Sequence, residues 1–301
     1  MANPIGWCDE TINFFTGCRQ GCPWCYARRM AHRLAGMPES AYARVRAASG
    51  DEFAPAWHQD VYTREQDRLT RFRGGMVQRY TAAPRRIFVG SMGDMCFEGG
   101  AVRIREGRDP VTMTSPEVQR FTAKWAQLVG CAGHAVLVLT KRPDLLDPDV
   151  RWARNVHLGV SVTGIRDDHR IATLRGVVER MAAQGGPAGY GGPRGPGVIW
   201  ASVEPLLDVR FKPECLTGLD WVVVGFESSL TRARKRTVVG VDRDPTVRDV
   251  PRGVAVQRIA AWCRDHGVPV FCKGSVAAVC GGAWPQELPM VRGPHARADF
   301  A

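Results

Sequence analysis

The sequence predicts an α/β protein in which six or seven strand–helix units surround one parallel sheet as a partial or complete barrel. Short apolar runs without polar alternation recur along the chain, which is typical of strands buried on both faces. Segments with helical spacing lie between them, and this alternation predicts right-handed crossovers within one sheet. The predicted strands are Ile87–Val89, Ala135–Leu139, Val156–Val162, Val198–Val203, Trp221–Phe226 and Val268–Cys272, with a weaker candidate at Thr11–Phe15.

Two of the intervening helices have recognisable ends in the sequence. Ser115 is predicted as an N-cap, with Pro116 at the first helical position and Glu117 in the first turn. A later helix is predicted over about 254–266, where Gly267 ends it.

The chain of 301 residues is interpreted as one barrel domain with an insertion and two flexible loops. The polar, arginine-rich stretch at about 36–85 is the insertion, and the loops lie at about 184–197 and 228–250. No apolar run approaches the length of a membrane span, and the N-terminus lacks the pattern of a secretory signal. We therefore expect a cytoplasmic protein that does not contact a membrane. We also expect a monomer.

The formal net charge is +11, and arginine supplies nearly all of the excess. A basic balance favours a polyanion as partner, nucleic acid above all, because counterions are released when phosphates are neutralised. The alternative is an arginine-rich composition spread over a solvated surface.

Three of the ten cysteines are clustered, at Cys18, Cys22 and Cys25. In a reducing compartment such clustering indicates metal binding or chemistry rather than disulfides. Thiolates hold iron–sulfur clusters, and three ligands on one short loop leave one iron of a four-iron cluster open. Gly17 and Gly21 allow close approach of the backbone to the cluster.

A zinc site with His32 or another cysteine as fourth ligand is the alternative, although structural zinc sites usually pair two ligands on each of two hairpins. Tyr26, Met30 and Leu34 follow the motif at helical spacing and are interpreted as core packing. The scattered cysteines are interpreted as buried apolar residues: Cys96, Cys131, Cys215, Cys263, Cys272 and Cys280.

The motif C-RQG-C-PW-C, followed by an aromatic residue, resembles the signature loop of the radical S-adenosylmethionine (SAM) superfamily. More specifically, the chain is similar to the phage Gp37/Gp68 (DUF5131) family. The matching segments are IGWCDETINFFTGC, IFVGSMGDM, LTKRP, NVHLGVSV, ASVEPLL, WVVVGFES and WPQELP, in that order. Cys8, Cys96 and the arginine-rich segment after Ser229 depart from the family pattern.

This resemblance implies a partial (βα)6–7 barrel of the radical SAM type. It implies a [4Fe–4S] cluster on the three cysteines, SAM as cofactor, a flavodoxin-type electron donor and a 5′-deoxyadenosyl radical. Active sites of barrels form at the carboxyl ends of the strands. The cofactor-binding candidates are Tyr26, Ser91, Met92, Gly93, Asp94, Ser161 and Thr163, and the catalytic candidates are Lys141, Glu204, Glu227 and Lys273.

Each strand-end residue also has a structural alternative. Asp94 is then a helix cap, Glu204 the partner of an arginine, and Lys273 a solvated cation.

A basic run after the sixth strand is the candidate for holding a phosphate backbone. Its cations are Arg232, Arg234, Lys235 and Arg236. Phage proteins that this chain resembles are linked to hypermodified thymine in viral DNA, in the host cytoplasm. The resemblance therefore implies an isomerase that converts an N-linked amino acid on the thymine methyl group into a C-linked one. The alternatives are a radical SAM enzyme on a DNA lesion, tRNA base or peptide, and a non-catalytic zinc-stabilised nucleic-acid-binding module.

Overall fold

The computed structural model describes residues 5–69, 71–73, 76–78, 84–105, 108–131, 133–184, 195–226, 252–276 and 285–289. The chain divides into two compact units. We call Cys8–His157 with Val177–Pro196 the first unit. The second unit consists of Met1–Trp7, Leu158–Gly176 and Gly197–Ala301. The single-domain organisation stays a prediction.

The helices and strands alternate along much of the chain. In chain order they are β1 (Glu10–Ile12), β2 (Phe15–Thr16), α1 (Tyr26–Leu34), α2 (Ala41–Ser49), β3 (Ala56–His58), α3 (Gln59–Leu69), β4 (Arg71–Arg73), β5 (Met76–Gln78), β6 (Arg86–Val89), β7 (Ala101–Arg105), β8 (Arg108–Met113), α4 (Ser115–Gly130), β9 (Ala135–Thr140), β10 (Val156–Val162), α5 (His169–Ala183), β11 (Val198–Val203), β12 (Trp221–Val224), α6 (Arg252–Asp265) and β13 (Val270–Cys272). Short 3₁₀ turns lie at Pro143–Leu145 and Pro213–Leu216.

Seven strands form one sheet in the order β1-β6-β9-β10-β11-β12-β13, so that each strand lies beside the next one of the sheet in chain order. The pairs β1–β6, β6–β9, β11–β12 and β12–β13 are parallel. Parallel neighbours in sequential order are the arrangement of a (βα) barrel wall. The predicted fold class, α/β with a partial (βα)6–7 barrel sheet, is confirmed.

In the first unit a second sheet, β2-β3-β7-β8, accompanies the strands β1, β6 and β9. β3 lies within the segment predicted as an insertion, yet Ala56 and Trp57 on this strand are fully buried. Phe14 packs against Trp57 and Trp125, with ring centroids 5.1 and 5.3 Å apart. Part of the arginine-rich segment therefore supplies core residues.

In the second unit three tryptophans pack together behind the parallel strands. Trp200 on β11 and Trp221 on β12 have ring centroids 4.9 Å apart, and Trp7 lies 5.1 Å from Trp200. A Cβ at Gly159 would lie 2.5 Å from the Trp200 ring, so glycine is required there on β10. These large rings fix the spacing between neighbouring strands because they are fully or almost fully buried.

Several predicted boundaries are corrected by one or two residues. The N-cap of α4 is Thr114 rather than Ser115, and Glu117 completes its capping box. The candidate strand Thr11–Phe15 is two strands, because Asn13 and Phe14 interrupt the pairing. Gly267, with φ of 65°, follows α6 as predicted. Among the described helices none is long and apolar enough to cross a membrane.

Candidate active site

The three clustered cysteines lie on the loop between β2 and α1, in the first unit, and all are partly buried. Cys25 is the N-cap of α1, and its Sγ accepts a hydrogen bond from the Arg28 backbone N–H at 3.4 Å. The Cys18 Sγ accepts one from the Gln20 backbone N–H, also at 3.4 Å. Hydrogen bonds to sulfur stabilise the thiolate form that ligates iron. The donor chemistry of the loop therefore fits an iron–sulfur cluster.

Gly17 fixes the start of the cysteine loop. Its φ is 86°, and a Cβ there would lie 2.0 Å from the Ala54 carbonyl oxygen. The next residue, Cys18, donates its backbone N–H to the Phe53 carbonyl at 3.1 Å. Only glycine allows this close approach of two backbone segments.

The loop that follows β6 is hydrogen-bonded to the cysteine loop. The Gly17 N–H donates to the Met92 carbonyl at 3.0 Å, and the Asp94 N–H donates to the Gly17 carbonyl at 3.0 Å. The Tyr26 hydroxyl donates to the Ser91 carbonyl. A Cβ at Gly93 would lie 2.8 Å from the Gly17 carbonyl oxygen. The structure thus brings the five predicted cofactor-binding residues of the first unit to the cysteine loop.

The buried carboxylate of Asp94 holds the end of β9. It accepts hydrogen bonds from the Thr140 hydroxyl at 2.7 Å, the Lys141 N–H at 2.8 Å and the Cys96 N–H at 3.1 Å. Burial raises the pKa of Asp94 above its ordinary value, against these three donors. The alternative interpretation of Asp94 as a helix cap is wrong. Its carboxylate fixes the position from which the Lys141 side chain projects.

The Cys18 thiol, next to the buried Asp94, resists ionisation. Burial raises its pKa to about 12, the charge of Asp94 adds to the increase, and the Gln20 N–H opposes it. Iron binding therefore has to release this proton, so that loading depends on pH.

His32 belongs to another interaction. Its Nδ1 lies 2.8 Å from Glu52 Oε1, and its side chain is 79% exposed. Within the described residues, no group of three His, Cys, Asp or Glu side chains is arranged to hold a single metal ion.

Four predicted residues of the second unit lie at the carboxyl ends of strands: Ser161 is within the last two residues of β10, and Thr163, Glu204 and Lys273 follow β10, β11 and β13. Thr163 follows β10, and its N–H and hydroxyl bond the Asp167 carboxylate at 2.9 and 3.0 Å. The Ser161 hydroxyl donates to the Glu204 carbonyl at 3.3 Å. The hydroxyl groups of Ser161 and Thr163 are thus engaged in holding the strand ends.

Glu204 follows β11 and Lys273 follows β13, and the two side chains form an ion pair. Glu204 Oε1 lies 2.6 Å from Lys273 Nζ, and the side chains are 23% and 19% exposed. Gly225, which follows β12 between them, makes room: a Cβ there would lie 2.9 Å from both side chains. The partner of Glu204 is thus a lysine rather than an arginine, and the interpretation of Lys273 as a solvated cation is wrong.

A family model described as "Protein of unknown function (DUF5131)" matches residues 2–183, which is more than half of the chain. The chain belongs to the DUF5131 family. No curated protein matches it. A cysteine-to-alanine mutant of spore photoproduct lyase with dinucleoside spore photoproduct matches with 10% identity and a TM-score of 0.47, over 86% of this chain and 74% of that one. A cysteine-to-serine mutant of the lyase matches with 12% identity and a TM-score of 0.46, over 88% and 76%.

In this DUF5131 protein, part of the predicted site lies outside the described residues. These residues are Glu227, Arg232, Arg234, Lys235 and Arg236. Cys280, which is interpreted as a buried apolar residue, also lies outside the described residues. Cys131 is exposed, so its interpretation as a buried apolar residue is wrong. Tyr26 and Met30 are exposed as well, which corrects the interpretation of their stripe as core packing. The buried face of α1 consists of Ala27 and Ala31.

Sequence reasoning missed three polar residues that position the loops. The Asn13 side chain bonds the Ser91 hydroxyl and the Met92 N–H, each at 3.1 Å. Thr140 bonds Asp94, and Asp167 bonds Thr163. Asn13 directly follows β1, so the strand-end rule would have found it with the strand ended at Ile12. Thr140 directly follows the predicted strand Ala135–Leu139 and was within reach of the same rule.

His58 on β3 is buried and lies 2.8 Å from the Thr16 hydroxyl, next to the cysteine loop. Burial lowers the pKa of His58 to about 4, the charge of Arg44 adds to this, and Asp60 opposes it. The unfolded chain therefore binds the proton first, between pH 6.5 and about 4. Stability is present above this window and is lost as the pH falls through it, by ~3 kcal/mol.

Urea denaturation of the metal-free chain at several pH values measures this loss. Replacing His58 by glutamine is expected to flatten the dependence of the unfolding free energy on pH in this window. An unchanged slope in the variant would assign the acid sensitivity to other groups.

Proposed function

We propose that this DUF5131 protein is a radical SAM enzyme whose Cys18, Cys22 and Cys25 hold a [4Fe–4S] cluster. One observation carries the proposal: three thiols share one loop whose backbone donates hydrogen bonds to two of the sulfurs. The loop between β6 and β7, joined to it by the hydrogen bonds of Gly17, supports the proposal because it offers backbone groups beside the cysteines.

When bound and reduced, the cluster supplies the electron that cleaves SAM to methionine and a 5′-deoxyadenosyl radical. The residues of this chain bind and orient SAM and the substrate. We assign the segment Ser91–Asp94 and Tyr26 to the methionine end of SAM, and Ser161 and Thr163 to its ribose. Asp94 acts through the main chain at Lys141, which we assign to a carboxylate or phosphate of cofactor or substrate. Exclusion of water and stray hydrogen donors protects such a radical.

The substrate we propose is an aminoacyl-modified thymine base in phage DNA, and the reaction is rearrangement of its amino acid from nitrogen to carbon attachment. The net charge of +11 supports a polyanionic substrate. Arg232, Arg234, Lys235 and Arg236 are proposed to hold the phosphate backbone. Glu204, Glu227 and Lys273 are proposed to contact the amino acid of the modified base.

The test begins with anaerobic reconstitution using iron and sulfide, followed by reduction, addition of SAM and assay of 5′-deoxyadenosine. Replacing Cys22 by alanine is expected to abolish the product, because a three-thiolate site loses one ligand. Replacing the exposed Cys131 by alanine is the matched control and leaves the product unchanged. Electron paramagnetic resonance of the reduced samples reports the cluster itself.

Formation of 5′-deoxyadenosine by the Cys22→Ala variant at the rate of the unmodified protein would contradict the proposal. Zinc without iron in the purified protein would favour the non-catalytic nucleic-acid-binding module. The substrate is tested with duplex and single-stranded DNA carrying aminoacyl-thymine, against free nucleoside, tRNA and peptide. Conversion of a peptide alone would overturn the DNA assignment but not the enzyme class.

A further inference from the structure

Helix α1 presents an apolar and basic face to solvent. The face consists of Tyr26, Arg29, Met30, Arg33 and Met37, and we call it the α1 face. Tyr26 is 49% exposed, Met30 is 37% exposed, and Met37, just after the helix, is 56% exposed. These are three of the five exposed large hydrophobic residues in the described part of the chain, and they fall within twelve residues. Such clustering marks an interaction site rather than scattered surface residues.

The charge of α1 has one sign. The helix contains three arginines and no acidic residue. Arg28 is directed elsewhere, since it lies 3.6 Å from Asp51 and over the Phe53 ring. Arg33 has no acidic partner within the residues that the structure describes. The α1 face therefore carries positive charge that is complementary to an acidic partner.

The composition of the face is that of a protein-binding surface. Tyrosine, methionine and arginine are enriched at protein interfaces and lysine is depleted, and the α1 face contains no lysine. Two methionines have no role in contacting phosphates, whereas their flexible side chains suit a protein surface. A patch of five residues matches the small, transient interfaces of redox encounters, which bury less than about 1,200 Å².

The position of the face suggests what the partner does. Cys25, a proposed cluster ligand, is the N-cap of α1, so the face begins within one helical turn of the cluster loop. We propose that the α1 face docks a small acidic one-electron carrier protein that reduces the cluster, an inference that rests on the proposed function. The carrier loses one electron and the cluster gains it, with no bond formed or broken.

The experiment measures binding and electron transfer on the reconstituted holoprotein, with flavodoxin as probe. Replacing Arg33 by glutamate is expected to raise the Kd for flavodoxin about tenfold at low salt and to weaken the salt dependence. Replacing Met30 by serine raises the Kd without changing the salt dependence. The matched controls are Arg264→Glu and Val254→Ser on α6, where the two side chains are also exposed.

Stopped-flow bleaching of the cluster absorbance separates the carrier from chemical reduction. The α1-face variants are expected to slow reduction by flavodoxin hydroquinone in proportion to the loss of affinity, whereas reduction by dithionite stays unchanged. Unchanged Kd and rate in both variants would overturn the inference, and so would loss of duplex DNA binding with flavodoxin binding intact. Failure of SAM cleavage with dithionite in the unmodified protein would instead refute the proposed function. The two failures are distinguishable because flavodoxin binding is measured without SAM cleavage.

Discussion

Replacing Gly17 by alanine is expected to destabilise the first unit and to abolish loading of the cysteine loop. A Cβ at this position would lie 2.0 Å from the Ala54 carbonyl oxygen, which is backbone and cannot rotate away. The positive φ of 86° adds about 1–2 kcal/mol of strain for a residue with a side chain. The overlap itself adds about 1–3 kcal/mol, because two backbone segments must separate.

The control for this variant is Gly50→Ala. Gly50 follows α2 with φ of 80°, and a Cβ there meets nothing within 4 Å. The difference between the two variants in unfolding free energy therefore isolates the overlap from the backbone strain. Iron content after reconstitution is the second measurement. Equal stability and equal iron content in both variants would show that the close approach of Gly17 to Ala54 does not hold the loop.

The parallel sheet could be predicted because its strands are continuous apolar runs. The run Val156–Val162 is β10 without any change, and all seven of its residues are buried. The strand Trp221–Phe226 was predicted two residues too long, because apolar character continues beyond the last hydrogen-bonded pair at Val224. Hydrophobicity reports burial, whereas the end of a strand is set by pairing with its neighbours.

The second sheet of the first unit could not be predicted, because its strands are short and its pairing is non-local. β3 has three residues and lies in a polar stretch, and its partner strands begin 41 residues earlier and 45 residues later. The sequence interpretation of α1 assigned the wrong face of the helix to the core. Three alanines, at 27, 31 and 35, form the buried stripe because they allow close packing, while Tyr26 and Met30 face outward. Side-chain size alone pointed to the wrong face.

The candidate site could be predicted where a residue follows a strand. Lys141, Glu204 and Lys273 all stand at the carboxyl ends of strands in the structure. The positioning contacts could not be predicted, since Asn13 bonds residues 78 and 79 positions away. No local pattern specifies such a pair, and only the parallel alignment of β1 with β6 brings them together.

Replacing Lys273 by methionine is expected to stop conversion of the modified base while leaving cleavage of SAM intact. In the proposed function, Lys273 and Glu204 contact the charged groups of the substrate amino acid, and SAM cleavage needs neither. The variant leaves the Glu204 carboxylate without its partner at 2.6 Å, in a position where it is only 23% exposed. We expect a loss of about 1–2 kcal/mol in stability, because partial exposure screens the charge.

The double variant Glu204→Gln/Lys273→Met separates the two roles of the pair. Removing both charges is expected to recover most of the lost stability, since no lone charge remains, whereas substrate conversion stays lost. Single-turnover assays with aminoacyl-thymine DNA measure conversion, and 5′-deoxyadenosine measures SAM cleavage in the same samples. A double variant that regained conversion together with stability would make the ion pair purely structural. If conversion stays lost although stability is recovered, instability does not explain the loss, and the charges of Glu204 and Lys273 act on the substrate. Gly225 leaves room for the pair but supplies no charge of its own.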